Sequence, residues 1–353
     1  MKYSYPKLLE VMINGRGLAL ASIIDASGST PQVPGAAAVF SIQGLVAGTV
    51  GGGLVEGRTQ AIALASLKDK RARLADFRLD ADPADVEGAI CGGAVSVLVD
   101  PLIADARPVF ELALEGFRKR RPGVLLTMVR PLEGGVVHTV REWLPETDFS
   151  GPSRPHAGTI GPADLARVLG DGRPELFKMD DYSVFAEPVW PLPRLVIAGA
   201  GHVGKALAHL GNLLDFEVMV IDDRPEFANG ENVPDADGIV VGDIASAVKE
   251  IPDSPENYFV IVTRGHRNDA EALRAALGRG AAYVGMIGSR TKVDLMRREF
   301  LDKGWATEEE WGRVRAPIGL EIGSKTVEEI AVSIAAELVR VRAGLAARGR
   351  EKP

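Results

Sequence analysis

The feature that most constrains this chain is an uncharged apolar run that ends in closely spaced glycines. Residues 195–198 read Leu-Val-Ile-Ala, and Gly199, Gly201 and Gly204 follow in the spacing G-x-G-x-x-G. Such a run is typical of a strand that is buried on both faces of a parallel sheet. The glycines allow a tight turn, close approach of the backbone to a pyrophosphate, and close packing of the next helix on the strand. The pattern predicts the start of a Rossmann unit.

A second apolar segment places acidic residues where a Rossmann unit binds ribose. Residues 218–221 read Val-Met-Val-Ile and lead into Asp222 and Asp223. An acid about 20 residues after the glycine turn is where a dinucleotide ribose is hydrogen-bonded. The residues predicted to bind a nucleotide cofactor here are Gly199, Gly201, His202, Val203, Gly204, Asp222, Asp223 and Arg224.

Two later apolar segments are expected to deliver polar residues to the same edge of the sheet. Those predicted to bind the cofactor are Thr263, Arg264, Gly265 and His266 after strand 258–262, and Gly288, Ser289 and Arg290 after strand 281–287. Ligands of open α/β sheets bind outside the carboxyl ends of the strands. Arg264 suits clamping of a phosphate or carboxylate, His266 suits proton transfer or metal binding, and Asp269 suits orienting either side chain. Taken singly, such residues also serve as helix caps or surface charges, and Ser289 is a good N-cap.

The N-terminal half carries a second glycine-rich junction. Its strand 45–50 stops at Gly51, Gly52 and Gly53, and a helix with Glu56 in its first turn follows. Consecutive glycines before a helix form either an anion-binding nest or a tight turn without a ligand. Glu56 either complements the helix dipole or points into a site. The sequence leaves both alternatives open, with all four residues as candidates for cofactor binding.

The single cysteine of the chain is Cys91, which precedes two glycines. A thiol beside exposed backbone suits a reactive thiolate or a ligand to a soft metal, although an inert buried cysteine is the common case. One cysteine excludes an internal disulfide framework and fits a reducing cytoplasm.

Composition limits the classes of protein to which the chain can belong. Its 353 residues, 46% of them hydrophobic, suffice for two packed domains. A net charge of −7 without a long basic run makes nucleic acid an unexpected partner. We find no apolar run of about 18 residues and no signal-peptide pattern, and therefore expect a cytoplasmic protein with no membrane contact. The predicted organisation is a mixed α/β domain over 1–145, an irregular linker over 146–192, and a Rossmann-type, doubly wound parallel sheet domain over 193–353.

Several of these stretches together resemble the XdhC/CoxI family. The similar stretches in the C-terminal half are Gly199-Ala-Gly-His-Val-Gly204, Asp222-Asp-Arg-Pro225, Thr263-Arg-Gly-His266 with Asp269, Gly285-Met-Ile-Gly-Ser-Arg290 and residues 316–323. Those in the N-terminal half are Gly28-Ser29-x-Pro31, Gly48-x-x-Gly51-Gly52 and Cys91-Gly92-Gly93. The resemblance spans nearly the whole chain.

The resemblance implies an N-terminal XdhC/CoxI domain, a Rossmann-type C-terminal domain and a role in maturing xanthine or carbon monoxide dehydrogenases. It implies a chaperone, more a maturation factor than an enzyme, that binds molybdenum cofactor as molybdopterin or its dinucleotide. Its partners would be a cysteine desulfurase, which sulfurates the cofactor, and an apo molybdenum hydroxylase client. We also expect a homodimer.

One departure from the family concerns the thiols. Many members have cysteine in a Ser-Gly-Gly-Cys stretch where this chain has Gly51-Gly52-Gly53-Leu54, so a metal-ligand role would rest on Cys91 alone. The alternative function is an NAD-dependent oxidoreductase that uses the same turn, since Asp222 favours a free ribose 2′-hydroxyl over NADP. That alternative lacks an evident catalytic set beyond His202 and His266.

Overall fold

The computed structural model describes residues 5–79, 92–101, 106–150 and 160–348. Packing divides the chain into two compact units, Met1–Pro191 and Leu192–Pro353. Each unit has its own sheet and its own buried clusters. No helix in the described ranges has the length and apolar content needed to cross a membrane.

The first unit is built on one antiparallel sheet. Its described strands are β1 (Ala19–Ser27), β2 (Ala37–Ser41), β3 (Gly44–Gly48), β4 (Ala72–Arg78), β5 (Ala94–Asp100), β6 (Gly123–Pro131), β7 (Val136–Pro145), β8 (Glu175–Lys178) and β9 (Ser183–Val189). Its described helices are α1 (Tyr5–Asn14), α2 (Gly53–Asp69), α3 (Arg107–Arg118) and α4 (Pro162–Asp171). The strands lie in the order β3-β2-β1-β5-β4-β7-β6-β9-β8, and neighbours run antiparallel.

Alternation along β1 explains how this sheet packs helices on both faces. Leu20 belongs to the buried cluster that includes α1 and α3, whereas Ala21 and Ile23 belong to the cluster that includes α2. Successive side chains of a strand point to opposite faces, so a strand with apolar residues at successive positions can serve two cores.

The segment 146–192 differs from the predicted linker. Residues 160–191 contribute α4, β8 and β9, and β9 pairs with β6 along its whole length. Val184 and Ala186 are buried in the cluster that covers α4, and Phe185 is buried in another cluster. Pro, Gly and Asp within and between its short elements gave this stretch the composition of a linker, whereas its buried residues make it part of the first unit.

The second unit is a parallel sheet flanked by helices. Its strands are β10 (Arg194–Ala198), β11 (Glu217–Asp222), β12 (Gly238–Val241), β13 (Asn257–Ile261), β14 (Tyr283–Met286) and β15 (Val314–Arg315). Its helices are α5 (His202–Leu213), α6 (Ile244–Glu250), α7 (His266–Ala276), α8 (Arg290–Asp302), α9 (Glu308–Gly312) and α10 (Val327–Arg348). The order β12-β11-β10-β13-β14-β15 is the 3-2-1-4-5-6 order of a doubly wound Rossmann sheet.

Both faces of this sheet are covered, as the apolar strand β10 predicts. Leu195 and Ile197 pack in the cluster that includes α5 and α10, whereas Val196 and Ala198 pack in the cluster that includes α6, α7 and α8. The predicted fold class, a mixed α/β chain with a Rossmann-type parallel sheet in its C-terminal part, is confirmed. The strand order reverses between β10 and β13, and the loops that follow these two strands flank the crevice where such folds bind ligands.

Candidate functional site

The three glycines of the Rossmann turn serve different purposes. Gly199 has a φ of +116°, and a Cβ there would lie 2.5 Å from the Val262 carbonyl oxygen. A Cβ at Gly204 would overlap the carbonyl oxygen of Gly199. At Gly201, by contrast, an added Cβ would meet no atom within 4 Å. The fold therefore requires the first and third glycines, while the second faces open space in which a ligand can approach the backbone.

Two helices begin at the reversal point without a capping side chain. The N-cap of α5 is Gly201 and the N-cap of α7 is Gly265, and neither supplies a side-chain acceptor. The first N–H groups of a helix lack intrahelical partners and carry the positive end of its dipole. The two starts follow the neighbouring strands β10 and β13. This arrangement can bind a phosphate or another anion.

Helix α8 begins differently. Its N-cap is Ser289, whose hydroxyl accepts a hydrogen bond from the Lys292 N–H at 3.3 Å. Interpretation of Ser289 as an N-cap is thereby confirmed. Arg290, the next residue, pairs with Glu321 at 2.7 Å, and both side chains are largely exposed.

The acid of the predicted ribose site is held by its own chain. Asp222 is buried and accepts hydrogen bonds from the Ala200 N–H and from the backbone N–H and guanidinium of Arg224. Burial opposes its ionisation, but these hydrogen bonds outweigh burial and hold the pKa of Asp222 below its ordinary value. Asp223, the neighbouring acid, remains 45% exposed.

The glycine turn is fixed from two sides by residues of this region. Asp222 binds the N–H of Ala200, and the Asn232 amide donates to the carbonyl oxygen of the same residue at 3.0 Å. Asn232 also donates to the Phe227 carbonyl oxygen at 2.8 Å. Sequence reasoning missed Asn232, because its role depends on a fold contact 32 residues away.

Asp269 has a different partner from the one expected. It is fully buried, accepts a hydrogen bond from the Thr263 hydroxyl at 2.6 Å, and forms an ion pair with Lys292. Burial raises the pKa of Asp269, although the hydrogen bonds from Lys292 and Thr263 oppose the rise. The expectation that Asp269 orients Arg264 or His266 is therefore wrong: this carboxylate joins the end of β13 to α7 and α8.

The other two residues of that stretch are exposed. His266 Nε2 lies 2.9 Å from a carboxylate oxygen of Glu299, and Arg264 forms no ion pair with any residue in the described ranges. The parallel sheet nevertheless brings the Gly199, Asp222, Thr263 and Gly288 loops to one carboxyl edge, as predicted.

The N-terminal candidates also lie close together, within the first unit. Gly51, Gly52 and Gly53 have φ values of +121°, +69° and +52°, and α2 starts here without a side-chain cap. Glu56 accepts a hydrogen bond from the Thr49 hydroxyl at 2.7 Å, and that hydroxyl accepts the Gly51 N–H at 3.1 Å. Glu56 thus supports the turn itself.

The two glycines that follow Cys91 pack against the loop that also contacts the glycines before α2. Gly92 forms a β-bridge with Ser29, and a Cβ at Gly93 would overlap the Ser29 carbonyl oxygen. Pro31, two residues later, lies against Gly51. The predicted metal ligand Cys91 itself lies outside the described residues. Within the described ranges, no three His, Cys, Asp or Glu side chains are grouped so that they could hold a metal ion.

A cavity of about 910 Å³ lies at the opposite edge of the second sheet, beside the first residues of β14. Four arginines line it, and three of them, Arg279, Arg313 and Arg340, form ion pairs with carboxylates. The crevice at the carboxyl edge offers uncapped helix starts instead, so the chemistry favours the glycine turn over this cavity.

Comparisons with known proteins agree with this architecture. The family described as XdhC and CoxI family matches residues 13–78, and the XdhC Rossmann domain matches residues 195–338. The uncharacterized protein YqeB of Escherichia coli K12 is 28% identical over 325 residues, which are 92% of this chain and 43% of YqeB. This chain thus spans less than half the length of that relative. A probable xanthine dehydrogenase subunit of Bacillus subtilis 168 is 25% identical over 328 residues, 92% of each chain.

A solved structure shows the same fold. The crystal structure of a xanthine dehydrogenase from Bacillus halodurans superposes with a TM-score of 0.77 at 22% identity, covering 97% of this chain and 96% of that one. The two family matches fall in the two units, one in each. The chain belongs to the XdhC/CoxI family.

Proposed function

We propose that this protein is an accessory chaperone that binds molybdenum cofactor and supports its sulfuration and insertion into a xanthine dehydrogenase-type molybdenum hydroxylase. Membership of the XdhC/CoxI family suggests the accessory role, and the Bacillus subtilis relative, which is named for xanthine dehydrogenase, supports it. The cofactor is cargo here, and its oxygen- and electron-transfer chemistry belongs to the client enzyme.

The observation that carries the proposal is the pair of uncapped helix starts at the reversal of strand order. The N-caps Gly201 and Gly265 leave backbone N–H groups available, and Gly201 faces open space. Molybdopterin ends in a phosphate, which is the group that such helix starts bind. Residues of this chain would hold the phosphate. Arg264 directly precedes the N-cap Gly265, and since it forms no ion pair with another described residue, it can pair with the anion.

The remaining parts of the proposal come from the family. Cys91 is the proposed sulfur ligand to molybdenum, because a thiolate is the soft ligand that this metal prefers. The glycines before α2 and Glu56 are proposed as further cofactor contacts. A cysteine desulfurase and an apo molybdenum hydroxylase are the proposed partners, with a homodimer in the cytoplasm as the working form.

The test measures how much pterin and molybdenum the protein carries when it is purified from cells that make molybdopterin. We expect pterin and molybdenum in near-stoichiometric amounts, measured by pterin fluorescence after release and by metal analysis. Gly201→Val should abolish both, because the branched side chain fills the space that the phosphate needs. Gly312→Val is the matched control, since an added Cβ there also meets no atom within 4 Å but lies at the end of α9.

The outcomes separate the candidate functions. Purified protein without pterin or molybdenum contradicts the proposal, and NAD in their place supports the oxidoreductase alternative. If the folded Gly201→Val protein carried as much pterin and molybdenum as the wild type, the cofactor would bind elsewhere than at the Rossmann turn.

A further inference from the structure

Every acceptor position of the Asp222 carboxylate is in use. One oxygen, Oδ1, accepts the Arg224 N–H at 3.0 Å and Nε–H at 2.8 Å. The other, Oδ2, accepts the Ala200 N–H at 2.7 Å and Arg224 Nη2–H at 2.9 Å. A carboxylate has about four acceptor sites. A ribose hydroxyl that approached Asp222 would therefore find no free lone pair.

Arg224 is held firmly in this position. Its guanidinium lies over the Phe227 ring, 3.8 Å from the centroid, and its side chain is 17% exposed. Two parallel bonds to one carboxylate and a ring contact together fix the planar group. The pair is also buried on the carboxylate side, where Asp222 is 2% exposed. The guanidinium thus uses acceptor positions of the carboxylate that a Rossmann unit offers to the ribose.

The neighbouring charges do not turn this position into a site for a ribose phosphate. Asp223 follows Asp222 directly, and Glu226 adds a second negative charge near Arg224. With Asp222 these acids exceed the single positive charge of Arg224. A 2′-phosphate would face a surplus of negative charge, unlike the arginine-containing sites that accept NADP.

We infer that Arg224 is a specificity-determining residue. It fills the acceptor positions of Asp222 that would otherwise bind a ribose diol, so the turn binds a phosphate ester without recognising a diol. This inference rests on the proposed function of the glycine turn as a phosphate site. Because the acceptor positions of Asp222 are filled, the ribose diol of NAD would add no affinity, and a nucleotide would bind here through its phosphates alone. Of the two forms of the proposed cargo, molybdopterin with its terminal phosphate meets this requirement, whereas the dinucleotide brings a nucleoside ribose to the turn.

The test compares ADP with 2′,3′-dideoxy-ADP, which differ only in the diol, by titration calorimetry on the purified full chain. In the wild type we expect equal affinity for the two nucleotides, because the diol finds no acceptor. In Arg224→Ala the carboxylate is freed, and ADP should bind about tenfold more tightly than dideoxy-ADP. Adding Asp222→Asn to Arg224→Ala should remove that preference, since the charged acceptor is gone. Arg297→Ala, which breaks an exposed ion pair between α8 and α9, should behave as the wild type.

A second variant keeps the test valid if Arg224→Ala does not fold. Removal of Arg224 leaves a buried carboxylate with fewer donors, so each protein is first checked by thermal melting. If Arg224→Ala does not fold, Arg224→Met keeps an apolar stem over Phe227 while freeing the same two oxygens.

Each outcome decides the inference. A tenfold preference of the wild type for ADP that Asp222→Asn abolishes would overturn it, as would equal binding of both nucleotides by the folded Arg224 variant. If neither nucleotide binds to any of these proteins, the turn is not a phosphate site, and this inference fails together with that part of the proposed function. Absence of pterin and molybdenum in the purified protein, with the expected nucleotide preferences intact, would overturn the proposed cargo alone.

Discussion

The two glycine-rich turns of this molecule have similar sequences but are constrained in different ways. At the Rossmann turn, Gly199 and Gly204 are required because any side chain would strike backbone atoms. Before α2, Gly52 and Gly53 have free space around them but adopt left-handed φ angles of +69° and +52°. Contact with the backbone thus excludes side chains at Gly199 and Gly204, whereas at Gly52 and Gly53 local backbone conformation alone favours glycine. A glycine count alone does not distinguish these cases.

Two buried acids, one in each unit, also differ in how far hydrogen bonds compensate for burial. Asp222 beside the Rossmann turn is saturated by hydrogen bonds, which lower its pKa. Glu187 on β9 is buried in the first unit, and burial raises its pKa to about 7, with only partial compensation from the charge of Arg141. Backbone and guanidinium donors keep the pKa of the buried Asp222 low, whereas Glu187, with little compensation for its burial, has a pKa near neutrality.

The largest effect is expected at Gly204. Gly204→Ala puts a Cβ onto a backbone oxygen that cannot move without displacing the turn, so the free energy of unfolding should fall by about 4 kcal/mol or more. Gly201→Ala, in open space, is the matched control and should stay within about 1 kcal/mol of the wild type, as expected for a glycine at a helix N-cap. Urea denaturation of the three proteins measures the difference. Similar losses at both positions would show that the contact does not determine the turn.

Glu187 should make the first unit sensitive to pH. Because its pKa rises from 4.5 in the unfolded chain to about 7 in the folded one, the folded protein retains a proton that the unfolded chain releases between these values. The free energy of unfolding therefore falls as pH rises from about 5 to 8, by about 3 kcal/mol at about 1.4 kcal/mol per pKa unit.

The measurement is denaturation of wild type and Glu187→Gln at pH 5 and pH 8. The glutamine variant should match the wild type at pH 5 and exceed its stability at pH 8, since an uncharged amide has no proton to lose. Glu146→Gln, at an exposed position, is the control for general pH effects. A parallel pH dependence in wild type and Glu187→Gln would contradict the assignment.

The sequence predicted the second unit better than the first for a physical reason. In the Rossmann unit an apolar strand, a glycine turn, a helix and an acid follow one another locally, and β10 starts within one residue of the predicted strand. In the first unit β8 has only four residues, none of them buried, so no periodic signal marked it within the supposed linker. Its place in the sheet depends on pairing with β9.

The candidate site shows the same limit. The loops at the carboxyl edge follow from the parallel order, so the sequence located them correctly. The pairing of side chains did not follow, since Asp269 and Lys292 are 23 residues apart and meet only through the packing of α7 and α8. The Asp222–Arg224 pair was the exception that could have been found, because residues two apart at the end of a strand point to the same side.

The smallest effect is expected at the turn before α2, where Thr49 joins Glu56 to the backbone. Thr49→Val keeps the shape of the side chain but removes the hydroxyl that donates to Glu56 and accepts the Gly51 N–H. Both groups are only partly buried, so water replaces the lost partner, and the free energy of unfolding should fall by about 1 kcal/mol. Chemical denaturation of the wild type, Thr49→Val and Glu56→Gln measures the contribution of this pair. Glu56→Gln is the control, because its amide oxygen still accepts a hydrogen bond from the Thr49 hydroxyl. A loss as large as that for Gly204→Ala would mean that side-chain contacts determine this turn as well, and the contrast between the two turns would disappear.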